Sequence, residues 1–201
     1  MSLEERTRDL PLPMPLSLAL HGRCSVRNFK PDVVDRAQIL GLLSAAVRAP
    51  TARHQEPWAF VVVQDRVLLR HISERAKLLL VAGTQALHLE RGGRTPKTFA
   101  DPNFNVFHNA GTLIVICGLA DAPFVAADCW LATENLLLAA HAMQLGACVV
   151  GSAVAALSLE EIKRELEIPT SYTAVAPVIV GVPMIDEVPT ARKDPRVLHW
   201  K

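Results

Sequence analysis

Ala126-Ala-Asp-Cys-Trp-Leu-Ala-Thr-Glu-Asn-Leu-Leu-Leu-Ala-Ala-His-Ala-Met-Gln-Leu-Gly-Ala-Cys-Val-Val150 is the stretch on which the fold turns. From Leu131 to Leu157 the chain is apolar enough to suggest a membrane segment. Thr133, Glu134, Asn135, His141 and Gln144 interrupt it, followed by Gly146 and Gly151. Hydrocarbon would leave those polar groups without partners, so a lipid-facing helix is disfavoured. The stretch reads instead as a buried helix over 126–144 followed by a strand over 147–150.

Working outward, Ser158 is placed to cap a charged amphipathic helix, Leu-Glu-Glu-Ile-Lys-Arg-Glu-Leu, ending before Pro169. Tyr172 to Val180 has strand composition, with Pro177 predicting an unpaired edge or a bulge. A proline-bearing tail over 182–201 closes the chain. On the other side, Thr112 to Leu119 and Trp58 to Val63 are apolar runs of strand length. Gln64 to Leu89 reads as helix with Asp65 as its cap, and Asp35 caps another whose apolar stripe is Ile39, Leu40, Leu42, Leu43, Ala46 and Val47. Leu16 to His21 is a short helix behind an N-terminal arm, 1–15. Arg91 to Asn103 carries two glycines, two prolines and four charges, which predicts a mobile lid loop. Strands separated by helices give a mixed α and β class.

The totals agree with one domain spanning 1–201: 201 residues, half of them apolar and a fifth charged. A net charge of +1 gives no field for a nucleic-acid or membrane-surface partner. Basic residues do cluster at 23–30 and 192–196, which suits a small anion. Cys24, Cys117, Cys129 and Cys148 lack CxxC spacing and read as reduced thiols, and the histidines show no metal-ligand spacing. The first residues lack an apolar signal core, so a cytoplasmic location is expected.

Two segments carry candidate chemistry. In Arg23-Cys-Ser-Val-Arg27, an extended backbone places Arg23, Ser25 and Arg27 on one side. Guanidinium groups and a hydroxyl there suit a phosphate or carboxylate; a solvated basic turn is the competing reading. In Ala49-Pro-Thr-Ala-Arg-His-Gln-Glu-Pro-Trp58, a helix stops at Pro50 and a polar loop leads into a strand. That loop either presents small polar groups to a ligand or simply connects the two elements, with Trp58 as a core anchor.

In this order the two segments resemble the nitroreductase family of FMN-dependent enzymes, whose pattern reads roughly RRSVRxF, a helix, then APSxxNxQPW and a strand. The resemblance continues through Asp128 to Gly146 and into the tail Val180-Gly-Val-Pro183, Ala191-Arg-Lys193 and Leu198-His-Trp200. It implies an α+β three-layer sandwich, a mixed central sheet flanked by helices, and an intertwined homodimer with FMN at each of two subunit interfaces. By the same resemblance Arg23 and Ser25, with Cys24 between them, hold the FMN phosphate and ribityl chain. Arg192 or Lys193 closes the phosphate site, and Arg27 faces the N1–C2=O edge of the ring. Pro50, Thr51 and His54 reach the partner's flavin, and Gly151 follows a strand near it.

The implied activity is hydride transfer from NAD(P)H through FMN to a nitroaromatic, quinone or related small acceptor by a ping-pong mechanism. The absence of a G-x-G-x-x-G stretch agrees with a nicotinamide that stacks on flavin. The alternatives are a flavin store or sensor with little turnover, a cofactor-free dimeric module, and same-fold chemistry such as flavin fragmentation, reductive dehalogenation or dehydrogenation. His54 and Glu56 depart from the asparagine and glutamine of many relatives. Cys24 departs as well; flanked by two arginines, it is either an activated thiolate or a packed thiol.

Overall fold

The computed structural model describes residues 14–87, 96–185 and 187–201. Its helices are α1 (Leu16–Gly22), α2 (Arg36–Ala46), α3 (Arg66–Leu87), α4 (Pro96–Ala100), α5 (Val125–Ala142), α6 (Val154–Leu157) and α7 (Glu160–Glu165). Its strands are β1 (Trp58–Val63), β2 (Thr112–Leu119), β3 (Gly146–Val149) and β4 (Tyr172–Gly181). The apolar 126–150 stretch is thus helix then strand, and no described helix is long and apolar enough to cross a membrane.

The four strands form one sheet in the order β1-β2-β4-β3, each neighbour antiparallel. The mixed sheet expected from the sequence is thus antiparallel among the described strands; an isolated parallel bridge joins Ser25 to Ala147 at the outer edge of β3. β2 is buried along seven of its eight residues, as a central strand covered on both faces should be. Alternation sends Leu113, Val115 and Cys117 to one core, with Ile72, Phe107, Leu157 and Ile162. Ile114 and Ile116 go to the other, with Leu42, Leu136 and Ala140. Helices α3, α6 and α7 therefore cover one face while α2 and α5 cover the other, making three layers.

Local chemistry explains most of the boundaries. Asp35 and Gln38 form a reciprocal capping box at the start of α2. Asp65 Oδ1 accepts from the backbone N–H groups of Val67 and Leu68, at 2.7 and 3.0 Å, and starts α3. Ser158 does not cap α7: its hydroxyl donates back to the carbonyl of Val154, and the N-cap position falls to Leu159. The bulge predicted at Pro177 lies at Val175, two residues before it, between the pairs Ile116–Ala176 and Cys117–Ala174. Pro177 itself pairs with Val115, and its carbonyl accepts the N–H of Val150.

Of the lid loop expected over 91–103, residues 91–95 lie outside the described residues. Pro96–Ala100 form α4, packed on α3, with Phe99 buried and its ring 5.9 Å edge-on to Phe104. Apolar burial of Phe99 overrides the loop-like composition of this part. The arm expected at 1–15 falls outside the described residues except for Met14 and Pro15.

Close backbone approach decides how the basic segment is seated. A Cβ at Gly146 would sit 2.7 Å from Val26 Cγ1, and one at Gly181 would sit 2.8 Å from the ring of Phe29. Both neighbours are buried, and the valine is branched at Cβ, so neither site can yield easily. Gly146→Ala should therefore cost roughly 1–3 kcal/mol by overpacking, read as a lower urea midpoint at unchanged m-value.

Candidate functional site

The segment 23–30 is held between two elements. The N–H of Val26 donates to the carbonyl of Ala147 on β3. On its other side, the N–H of Lys30 donates to the carbonyl of Val182, and that of Met184 to the carbonyl of Asn28. Phe29 bridges to Pro183. Val26 and Phe29 point into the core, while Ser25 and Arg27 are exposed. Of the three residues expected on one side, Ser25 and Arg27 are exposed on either side of the buried Val26, whereas Arg23 is largely covered.

Arg23 is less free. It follows α1, donates its N–H to the carbonyl of Ala19, and its Nε lies 3.4 Å from Glu134 Oε1 on α5. Its side chain is 19% exposed. Any anion it binds must share it with a carboxylate, so its charge is partly compensated in advance.

Cys24 is a half-buried thiol that donates to the carbonyl of Glu187 at 3.6 Å. Burial raises its pKa, the nearby Glu187 adds to the rise, and Arg23 opposes it. This direction favours the packed thiol over the activated thiolate, because desolvation outweighs the neighbouring guanidinium. The more deeply buried Cys117 and Cys129 are pushed up to about 11 and about 12, again chiefly by burial.

Cys24, Val26, His141, Gly146, Pro183 and Glu187 line part of a cavity of about 550 Å³ behind this segment. His141 closes it from α5, where its Nε2 lies 2.5 Å from the place a Cβ on Gly22 would take. Burial, then Arg23, lowers its pKa. Arg192 and Lys193 are exposed on the extended tail, past the stretch that pairs with 28–30. Among the described residues neither forms an ion pair. Gly151, exposed with open space where a Cβ would point, starts a single 3₁₀ turn after β3.

The second segment sits elsewhere on α5. Pro50 is exposed and Thr51 half-buried, and Ala52–His54 form one 3₁₀ turn. Arg53, His54 and Glu56 all have positive φ, of 56°, 54° and 45°. Left-handed conformations cost on the order of 1–2 kcal/mol per non-glycine residue, so this loop is held, not relaxed. Thr51 Oγ1 accepts from the N–H of Glu56 at 3.3 Å, and Asp128 Oδ1 accepts from the N–H of Ala52 at 3.1 Å. Trp58 packs against the second core as expected.

One chain therefore assembles Arg23, Cys24, Ser25 and Arg27 with the tail. It ties Thr51 and His54 to a different station of the same helix. The 50–54 residues line neither of the two described cavities. Sequence reading missed Asp128 and Glu134, the two carboxylates of α5 that grip these segments. Charged groups in an otherwise apolar helix were the available signal.

The nitroreductase family model matches residues 20–182. The chain belongs to the nitroreductase family. An Archaeoglobus fulgidus protein provisionally named NADH dehydrogenase/NAD(P)H nitroreductase is 28% identical over 169 residues, covering 82% of this chain and 83% of that one. An iodotyrosine deiodinase of Thermotoga neapolitana is 27% identical over 127 residues, 62% of this chain and 67% of that one. A nitroreductase with bound FMN from Bacteroides fragilis superposes with a TM-score of 0.77 at 20% identity, over 92% of this chain and all of that one. The family match over 20–182 takes in the basic segment, the strained loop and α5.

His141 generates a pH prediction. With its pKa held below 6.5 in the fold, the unfolded chain binds more protons in the window just under that value. The stability it allows is full above the ordinary pKa and lost as pH falls through it. The urea midpoint should drop from about pH 7.5 to about pH 5.5, and less steeply in His141→Gln.

Proposed function

We propose that this protein is an FMN-dependent oxidoreductase taking hydride from NADH or NADPH and passing it to a nitroaromatic, quinone or related small acceptor. The observation that carries this reading is the seating of 23–30. Val26 and Phe29 lock its backbone between β3 and the tail, and that leaves Ser25 and Arg27 facing outward.

The residues fit a phosphate-bearing flavin. Ser25 offers a hydroxyl and Arg23 a guanidinium part-neutralised by Glu134, while Arg192 and Lys193 are exposed cations on an adjoining segment that form no ion pair among the described residues. Bound FMN supplies the centre that accepts hydride from the nicotinamide and yields it to the acceptor. Arg27 would offer a cation to the N1–C2=O edge, where the extra charge of the reduced ring would reside, and so would favour the reduced form. Donor and acceptor use the same opening in turn, which gives ping-pong kinetics.

A homodimer completes this site. The support is the apolar surface a single chain leaves open: Leu16, Leu20, Trp130 and Leu131 on α1 and α5, and Val197, Leu198 and Trp200 on the tail. Trp200 is 87% exposed on a segment without helix or strand, as expected of a tail that lies against a second copy. Thr51 and His54 then meet the flavin held by the other chain.

Reductive dehalogenation is the second reading, favoured by the deiodinase likeness. Reduced protein offered halogenated phenols or nitroaromatics under nitrogen separates the two by the product formed.

The protein mixed with FMN should retain a yellow chromophore through gel filtration and bleach with NADH or NADPH without oxygen. Arg23→Ala should release FMN more readily. Arg27→Ala should keep part of it at a lower reduction potential. A protein that stays colourless, or two variants indistinguishable from the parent, would contradict the assignment.

A further inference from the structure

Asp128 has no part in the cofactor contacts above, yet it is the least expected charge in the fold. It sits in the first turn of α5 with 3% of its surface exposed. The positive end of the helix offsets some of the cost of its burial. Among the described residues it forms no ion pair. Oδ2 is buried without a protein partner, and Oδ1 receives the N–H of Ala52, 76 residues away in the chain.

That bond lands where the strained loop begins. Beyond Ala52, residues 53–56 are exposed, and three of the four have positive φ. Within the loop the bonds are long: His54 to the carbonyl of Thr51, Gln55 to the carbonyl of Ala52, and Glu56 to Thr51 Oγ1, each 3.3 Å. No apolar side chain anchors the loop until Pro57, which is buried. The carboxylate of Asp128 is the shorter and charge-assisted link to the core.

We infer that Asp128 is a positioning residue: through the amide of Ala52 it fixes the 51–56 loop in the conformation that presents Thr51 and His54 to FMN. This rests on the flavin reading for its consequence, but the loop-holding role stands on the geometry of the single chain. A carboxylate suits the task because it accepts without donating. An asparagine oxygen could take the same N–H, more weakly.

The test compares the parent with Asp128→Ala, Asp128→Asn and Ala52→Pro. Ala52→Pro deletes the donor from the other side. Its backbone tolerates proline, since Ala52 opens a helical turn and Thr51 before it is extended, with φ −129° and ψ 151°. Amide exchange of FMN-free protein and FMN affinity by flavin fluorescence are the readouts. Asp128→Ala should speed exchange at Ala52 and weaken FMN affinity, each about tenfold or more, while the amide of Val26 keeps its protection. Asp128→Asn should recover most of both, and Ala52→Pro should weaken FMN to the level of Asp128→Ala. Combining the alanine and proline changes should add little.

Unchanged exchange at Ala52 would overturn the inference, as would an equal rise at Val26, which marks general loosening. If Asp128→Ala fails to fold, the Asn and Pro variants decide by the same criteria. If the parent itself takes up no FMN, the flavin reading fails, and exchange at Ala52 alone decides whether Asp128 holds the loop.

Discussion

Helix α5 must bury an apolar surface on the sheet, and the rest of the site depends on how it does so. Cys129, Ala132, Leu136, Ala139 and Ala140 are buried against Ile114, Ile116 and the inner face of β4. Small residues among them let the helix lie close to the strands. Its remaining sides carry polar groups, and four of these reach other elements. Asp128 takes the amide of Ala52, Glu134 takes Arg23, Asn135 donates to the carbonyl of Ala45, and His141 packs on Gly22. Both segments of the candidate site are thereby indexed to one rigid rod.

The electrostatics follow from the same arrangement. Glu134 partly neutralises Arg23 before any ligand arrives, whereas Arg27 and the tail cations Arg192 and Lys193 form no ion pair among the described residues. Desolvation governs the thiols, and the arginines flanking Cys24 do not reverse it. The candidate site therefore offers cations and a hydroxyl to an anion. Such a surface binds and tunes a cofactor that brings its own chemistry.

Much of this was legible in the residues because each feature had a local cause. Asp35, Asp65 and the apolar runs of β1 and β2 set their elements through capping and burial, which depend on near neighbours. Ser158 misled because a hydroxyl can bond back to its own helix as readily as forward to the next. The 91–103 stretch misled in part because composition carried no sign that Phe99 would find a core. Arg23 and Arg27 were identifiable as a pair, whereas the Glu134 partner that separates their roles is over a hundred residues distant. The positive φ of Arg53, His54 and Glu56 was not legible either, since the sequence places no glycine there.

In the reading we propose, one chain supplies the 23–27 half of each flavin site and a second chain supplies the 50–54 half. The most direct test mixes two variants that each fail to retain FMN. One carries Arg23→Ala and Arg27→Ala; the other carries Thr51→Ala and His54→Ala. After co-refolding, the account predicts that mixed dimers regain FMN, because each contains one site with both halves intact. Mixtures that stay colourless, although parent subunits co-refolded in the same way retain FMN, would contradict it and place the whole flavin site within a single chain.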